Sequence, residues 1–343
     1  MTQDHGTRIM IGLIAAVLVG AALQTGQAIF GPVVFALFVI ALVWPVQHAV
    51  QERLPQGLAL VVTVLVTLVV VAVLALSIAW AFGRVAEWVV ANAARLQRLY
   101  MSKIEWFELR GFDAASALAE QFDVRWLVRI AQGVLAQIQV IISFAVVTSV
   151  FVILGLLEVE QAAAQLARMK EKPAAQRVLA GLARAAAKLR AYMLVRSFAS
   201  VLTGVLVYAF ARWMGLDLAV EWGVIAFVLN YIPFIGPLIA TVFPAAVGLL
   251  QFESWQAVVT IFAVLQVIQF LIGSYLEPRL TGKQLAVSPF MVLAAVFLGA
   301  FLWGIPGAFI GVPVLIAALT LCEEFEGSRW VAKLLSGRAP DEG

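Results

Sequence analysis

Apolar runs divide this chain into segments of two kinds. Six are the length of one membrane crossing: Ile9–Gln24, Ala28–Pro45, Gly57–Gly83, Ile138–Leu157, about Ala191 to Ala211, and Ser254–Leu276. A helix rises about 1.5 Å per residue, so each fits a hydrocarbon core about 30 Å thick. Two further runs are too long for one crossing. Trp222–Phe252 holds 31 residues without a charge, and Gln284–Cys322 holds 39. At helical rise the longer would reach roughly 58 Å, nearly twice the core.

Both long runs are interrupted near the middle. The first interruption is NYIPFIGP, with Asn230, Pro233, Gly236 and Pro237; the second is WGIPGAFIGVP, with Gly304, Pro306, Gly307, Gly311 and Pro313. Proline removes an amide donor and its ring displaces a carbonyl from the helical ladder, while glycine admits backbone angles other residues avoid. Backbone groups freed in this way are tolerated in a membrane only where protein buries them or a watery cavity solvates them. Two architectures meet that condition: proline-kinked spans, or re-entrant hairpins whose tips expose backbone dipoles to a solute. The shared Ile-Pro, glycine, proline order reads as a weak internal repeat of such a broken hairpin.

Two polar stretches separate the runs. Residues 84–133 carry seven Lys/Arg and six Asp/Glu, and residues 159–192 carry seven Lys/Arg against two Glu. Helical spacing of Val85, Trp88, Val89, Asn92, Leu96 and Leu99 predicts a helix in the first stretch, with Asp113 and Asp123 as caps of shorter ones. A single span lies between the stretches, so they face opposite sides. The more positive one is expected in the cytoplasm, which places the N- and C-termini inside. Within 174–190, Arg177, Arg184 and Lys188 share one helical face; such a helix either lies on anionic headgroups or packs against neighbours as a connector. The expected divisions are a three-span bundle (1–83), an extracytoplasmic helical region (84–137), a fourth span (138–158), a basic cytoplasmic region (159–192), a core with both broken segments (193–322) and a cytoplasmic tail (323–343).

Composition supports the membrane reading. The chain of 343 residues is 63% hydrophobic and 13% charged, whereas a soluble domain carries roughly 25% charged residues. The fold class expected is therefore an all-α polytopic membrane protein of about eight hydrophobic segments, two of them broken or re-entrant. The run after Arg8 imitates a signal peptide, but further spans follow at once, so a retained first helix is expected. A net charge of +3 with basic residues in loops does not imply nucleic acid. One cysteine, Cys322, and two histidines, His5 and His48, supply neither a disulfide nor a metal cluster, and no cofactor is implied.

Candidate chemistry is sparse and sits near the breaks. Asn230 precedes the first interruption, where its amide can donate and accept. Gln266 and Gln269, three apart, are placed on one face of the intervening span. Glu277 and Arg279 flank Pro278 in YLEPRLTGKQLAVSP, as an ion pair setting the loop or as an ion-coupling pair. LTGKQ at 280–284 lacks the glycine and the hydroxyl residue of a phosphate-binding loop. Neither GxSxG nor HExxH occurs, so no catalytic residues are expected and the chain does not read as an enzyme.

The motifs IPFIGP at 232–237, EPRLTGKQLAVSP at 277–289 and WGIPGAFIGVPVLIA at 303–317 together resemble the AI-2E family, the autoinducer-2 exporters. Their order and spacing match that family's C-terminal half. The resemblance implies an all-α homo-oligomer, a pentamer, in a bacterial or archaeal cytoplasmic membrane. By position it assigns signature roles to Pro233, Gly236 and Pro237, then Glu277, Pro278, Gly282 and Pro289, then Gly304, Gly307 and Pro313. Phe234 stands where members of the family often carry tyrosine. Family activities vary, from export of the quorum-sensing furanone to sodium(lithium)/proton antiport. The function expected is secondary export of a small polar solute through a site that the two hairpins form and whose opposite faces open in turn, with lipid and a sodium ion or proton as further partners. The alternatives are an antiporter, which has little acidic equipment beyond Glu277 and Glu158, and a membrane scaffold without transport.

Overall fold

The computed structural model describes residues 2–95, 97–98, 101–102, 124–168, 173–281 and 287–335. Asp113, Asp123, Leu96, Leu99, Gly282 and Lys283 lie outside the described residues. All regular structure among those described is helical. The helices are α1 (Thr2–Thr25), α2 (Gln27–Gln51), α3 (Gln56–Ala91), α4 (Val124–Arg168), α5 (Pro173–Met214), α6 (Ala219–Leu229), α7 (Ile235–Phe252), α8 (Trp255–Phe270), α9 (Glu277–Thr281), α10 (Pro289–Glu324) and α11 (Arg329–Leu335). A π turn, Leu271–Leu276, joins α8 to α9. Among the described residues, seven helical stretches are long and apolar enough to cross a membrane, as the hydropathy of an all-α polytopic chain requires.

The helices form two compact units, each drawn from separated stretches of sequence. One unit contains residues 1–71, 144–194 and 281–343; the other contains 72–143 and 195–280. In the first, Ala36, Ile40, Val152 and Leu156 are the buried centre, and Phe35 lies edge-on to Phe144 and stacks on Phe309. In the second, Trp222, Ile225, Ala226, Ala240, Val247, Ile261 and Leu265 form the core with Val207 and Ala211. Many large apolar side chains of α1 to α3 are exposed, among them Leu13, Val17, Leu65 and Val69. Lipid contact is the ordinary solvent of such a surface.

Two prolines lie inside α2, Pro32 and Pro45. Pro45 cannot donate to the carbonyl of Ala41, four residues earlier. That carbonyl instead accepts a hydrogen bond from Arg190 Nη1 of α5 at 3.1 Å. The basic stretch 174–190 therefore does not lie apart on a surface: it is the first part of the continuous helix α5. Its Lys188 pairs with Glu323 at 2.8 Å, and its Arg184 pairs with Glu324, at the end of α10. Of the two roles its pattern allowed, the structure shows the packed connector.

Candidate functional site

The interrupted run at 222–252 is an antiparallel helical hairpin, α6 and α7. Its base is closed by one side chain: Gln251 Nε2 donates to the Gly215 carbonyl at 2.7 Å, and its Oε1 accepts from the Asp217 amide at 2.8 Å. At the other end, Gly236 lies against Leu229 so closely that a Cβ would run into that residue's carbonyl oxygen. The chain thus leaves at 217, turns at 230–234, and returns to its starting level at 251. Length alone counts Ile235–Phe252 as a crossing, yet its two ends are the tip and base of one hairpin. Polar groups of the α3 end hold that base: Arg84 lies 3.5 Å from buried Glu221, and Trp88 Nε1 donates to Asp217 at 3.3 Å.

The tip has an unusual turn. Pro237 sits in the first turn of α7, where a missing amide costs least, and it leaves the Pro233 carbonyl without a helical donor. Ile235 N–H fills that role at 2.7 Å, across a single residue. The bridged residue, Phe234, has φ 64° and ψ −51°, a γ-turn of the rare, strained hand. Its ring is exposed. Such strained conformations cost about 1–3 kcal/mol and concentrate at ligand clamps and switches.

Buried and partly buried polar side chains gather beside this tip. Asn230, 4% exposed, donates from Nδ2 to Ser200 Oγ at 3.1 Å. The Tyr231 hydroxyl and Ser197 Oγ are 2.9 Å apart. Next along α5 comes Arg196, 6% exposed, whose Nη1 meets both carboxylate oxygens of Glu277 at 2.5 and 2.6 Å. Arg196, Ser200 and Thr203 fall on one face of α5 at helical spacing, with Ser197 beside them. Arg196 Nε is buried without a partner among the described residues, and so is Gln269 Nε2.

The π turn explains how Glu277 reaches this cluster. Five residues of α-helix turn by about 500°, which would point Glu277 away from buried Ile272. The i→i+5 ladder at Leu271–Leu276 takes more residues per turn and returns the two to one side,. The buried face Ile261, Leu265, Gln269 and Ile272 therefore continues into Glu277.

Several expected residues sit elsewhere. Gln266 is exposed while Gln269 is buried, so the pair does not share one environment; the edge of the buried face passes between them. Glu277 pairs with Arg196 across the unit, and the Arg279 guanidinium lies 3.8 Å above the Tyr275 ring. Arg196, Ser197 and Ser200 carry no expectation from the sequence reading. The signal was present, since Arg196 is a lone charge inside the apolar run 191–211 and an ionisable residue there is a functional candidate by default.

The second interrupted run is also a hairpin, made by the two arms of α10. Trp303 (φ −136°, ψ 17°) and Gly304 (φ 66°, ψ −145°) leave helical geometry. Contacts then step evenly away from Trp303: Gly307 meets the Gly299 carbonyl, and Gly311 meets that of Ala295, each at a position that leaves no room for a Cβ. Pro306 falls in the first turn of the second arm and Pro313 is buried within it. Trp303 lies against Gly31, and its Nε1 points at the Leu23 carbonyl at 3.4 Å.

Known transport proteins match this chain over much of its length. The family model described as AI-2E family transporter matches residues 9–327, a span enclosing both hairpins. The AI-2 transport protein TqsA of Escherichia coli is 28% identical over 334 residues, covering 96% of this chain and 94% of that protein. A putative transport protein of Borreliella burgdorferi is 32% identical over 168 residues, 49% of this chain and 46% of the relative. A sodium-lithium/proton antiporter of Halobacillus andaensis is 25% identical over 126 residues, 36% of this chain and 34% of the relative.

Proposed function

Because the chain belongs to the AI-2E transporter family, we propose that it is a secondary transporter exporting a small polar organic solute such as autoinducer-2. The observation carrying this reading is the polar cluster at the first tip, with Asn230, Ser200 and Arg196 buried and Tyr231, Ser197 and Glu277 partly buried beside them. Such groups are costly in hydrocarbon and mark solute paths. The near full-length relative named as an AI-2 transport protein supports the solute class. Its bacterial origin supports the cytoplasmic membrane.

In this reading the first hairpin is re-entrant. Its tip stands beside Ser200 and its base beside Gly215, 15 positions apart on the chain, which is roughly 22 Å at helical rise,. That depth falls short of a core about 30 Å thick. A chain outside at 217 is then outside again at 251, and α8 brings 277–281 to the cytoplasmic side with both termini. Cysteine labelling of Thr281→Cys in a Cys322→Ser background tests this orientation: modification only from outside would overturn it. Flux of labelled autoinducer-2 in proteoliposomes, with and without sodium and proton gradients, tests the activity. We expect flux in the unaltered chain and its loss in an intact Gly236→Leu variant; a Gly236→Leu variant transporting normally would remove the tip from the path.

Sodium(lithium)/proton antiport is the second reading, favoured by the partly buried, ion-paired carboxylate of Glu277 and by the relative named as such an antiporter. It requires that Glu277→Gln abolish sodium-dependent proton movement in the same vesicles; retained exchange would exclude Glu277 as the coupling group.

A further inference from the structure

We propose that Arg196 binds the transported solute directly, through its Nε–H edge, and that Glu277 is the residue positioning it. This rests on the transporter reading and deepens it. The geometry is unequal around the guanidinium. Arginine offers five donors in a rigid fork, and a carboxylate usually takes two parallel ones, one from each of two nitrogens. Here one nitrogen, Nη1, meets both oxygens of Glu277.

Nε is left buried without a partner among the described residues, on a side chain that is 6% exposed. A buried donor left unsatisfied is destabilising and calls for an explanation, such as a molecule that occupies the site in use. Gln269 Nε2 repeats the observation on α8, the helix whose π turn delivers Glu277. Among the described residues neither the Arg196 Nε–H nor Gln269 Nε2 has a partner, while Asn230 donates to Ser200 and the Tyr231 hydroxyl lies 2.9 Å from Ser197 Oγ. The ligand fitting two donors is an acceptor-rich organic molecule carrying carbonyl or hydroxyl oxygens. Glu277 balances the arginine charge, so the site as a whole favours an uncharged solute over an anion. A stability role alone is a weak account of the pair, since a buried ion pair is often replaced by apolar residues without loss.

The test measures concentration-dependent flux of labelled autoinducer-2 in proteoliposomes for four chains. Arg196→Lys keeps the charge facing Glu277 but has no Nε–H edge; KM should rise about tenfold with Vmax near that of the unaltered chain, the effect of one charge-assisted hydrogen bond. Gln269→Leu should raise KM severalfold. The double variant Arg196→Met with Glu277→Met removes the pair while keeping an apolar fit, and should assemble normally yet transport nothing. Unchanged KM in Arg196→Lys, or normal flux in the assembled double variant, would overturn the inference and leave the transporter reading standing. Absence of flux from the unaltered chain would instead overturn the solute reading, and this inference with it.

Discussion

At the first tip the chain turns through Phe234, a residue with a side chain in a backbone conformation that side chains avoid. At the second it turns through Gly304, whose φ of 66° and ψ of −145° lie in a region essentially reserved for glycine,. The surroundings differ in the same sense. Asn230, Tyr231, Arg196 and Glu277 gather at the first tip, whereas the second leans on Gly31 and the aromatic ring of Phe144 nearby. The second hairpin is closed backbone against backbone along both arms; the first is pinned at its two ends. A relaxed, closed hairpin suits a fixed support. A strained one with polar neighbours suits a part that meets a ligand. Both satisfy the same rule about unpaired backbone in a membrane, so breaks alone do not identify a site.

The comparison is broken most severely at the closed hairpin. Gly307→Leu drives a side chain into the Gly299 carbonyl, and we expect a loss above about 4 kcal/mol, the range of severe overpacking and backbone displacement. Thermal unfolding and size-exclusion profiles of the detergent-purified chain would show it; a stable Gly307→Leu protein would refute the tight closure. Gly236→Leu, by contrast, strikes a tip with an exposed face, which can splay locally. Its thermal midpoint should fall less than that of Gly307→Leu while flux is lost.

Single hydrogen-bond deletions sharpen the difference. Asn230→Leu strands Ser200 in the buried cluster and should cost about 1–3 kcal/mol, with reduced flux. The control is Thr320→Val in the second hairpin, where the hydroxyl bonds only its own helix at Ile316; it should cost less than about 1 kcal/mol and leave flux intact. Equal effects of the two on flux would erase the functional distinction. The smallest effect is a gain. Phe234→Gly relieves the strained turn and should stabilise by about 1 kcal/mol, as read from denaturant midpoints, while flux falls. Stabilisation with full flux would mean that the strain serves nothing.

The sequence shows the breaks plainly, because proline and glycine act on the backbone where they stand. IPFIGP and WGIPGAFIGVP locate both tips to within a few residues. What those tips touch is set by pairing across the chain, and local pattern carries no record of it. Arg196 meets Glu277 from 81 positions away, so neither reads as half of a pair. The π turn at Leu271–Leu276 has no compositional mark either, and it decides which face Glu277 joins. Helical spacing places Gln266 beside Gln269, and only burial tells the two apart. The long connector shows the same limit: apolar content suggests a span beginning near Ala191, while the helix begins at Pro173 because alanine-rich basic sequence sustains it,.

Pro45, Ala41 and Arg190 carry a consequence for sequence drift. The proline deletes a rung from one helix, and the arginine supplies its replacement from another. Arg190→Leu alone strands the carbonyl of Ala41, whereas Pro45→Ala alone restores the helical donor to a carbonyl whose two lone pairs accept both,. Changed together, the two should nearly cancel, with a coupling energy of about 0.5–3 kcal/mol in a double-mutant cycle. A survey of single substitutions would mark Arg190 as intolerant and miss that its importance depends on Pro45. Lineages that lose this proline are then free to lose the arginine, whereas the reverse order passes through a less stable intermediate.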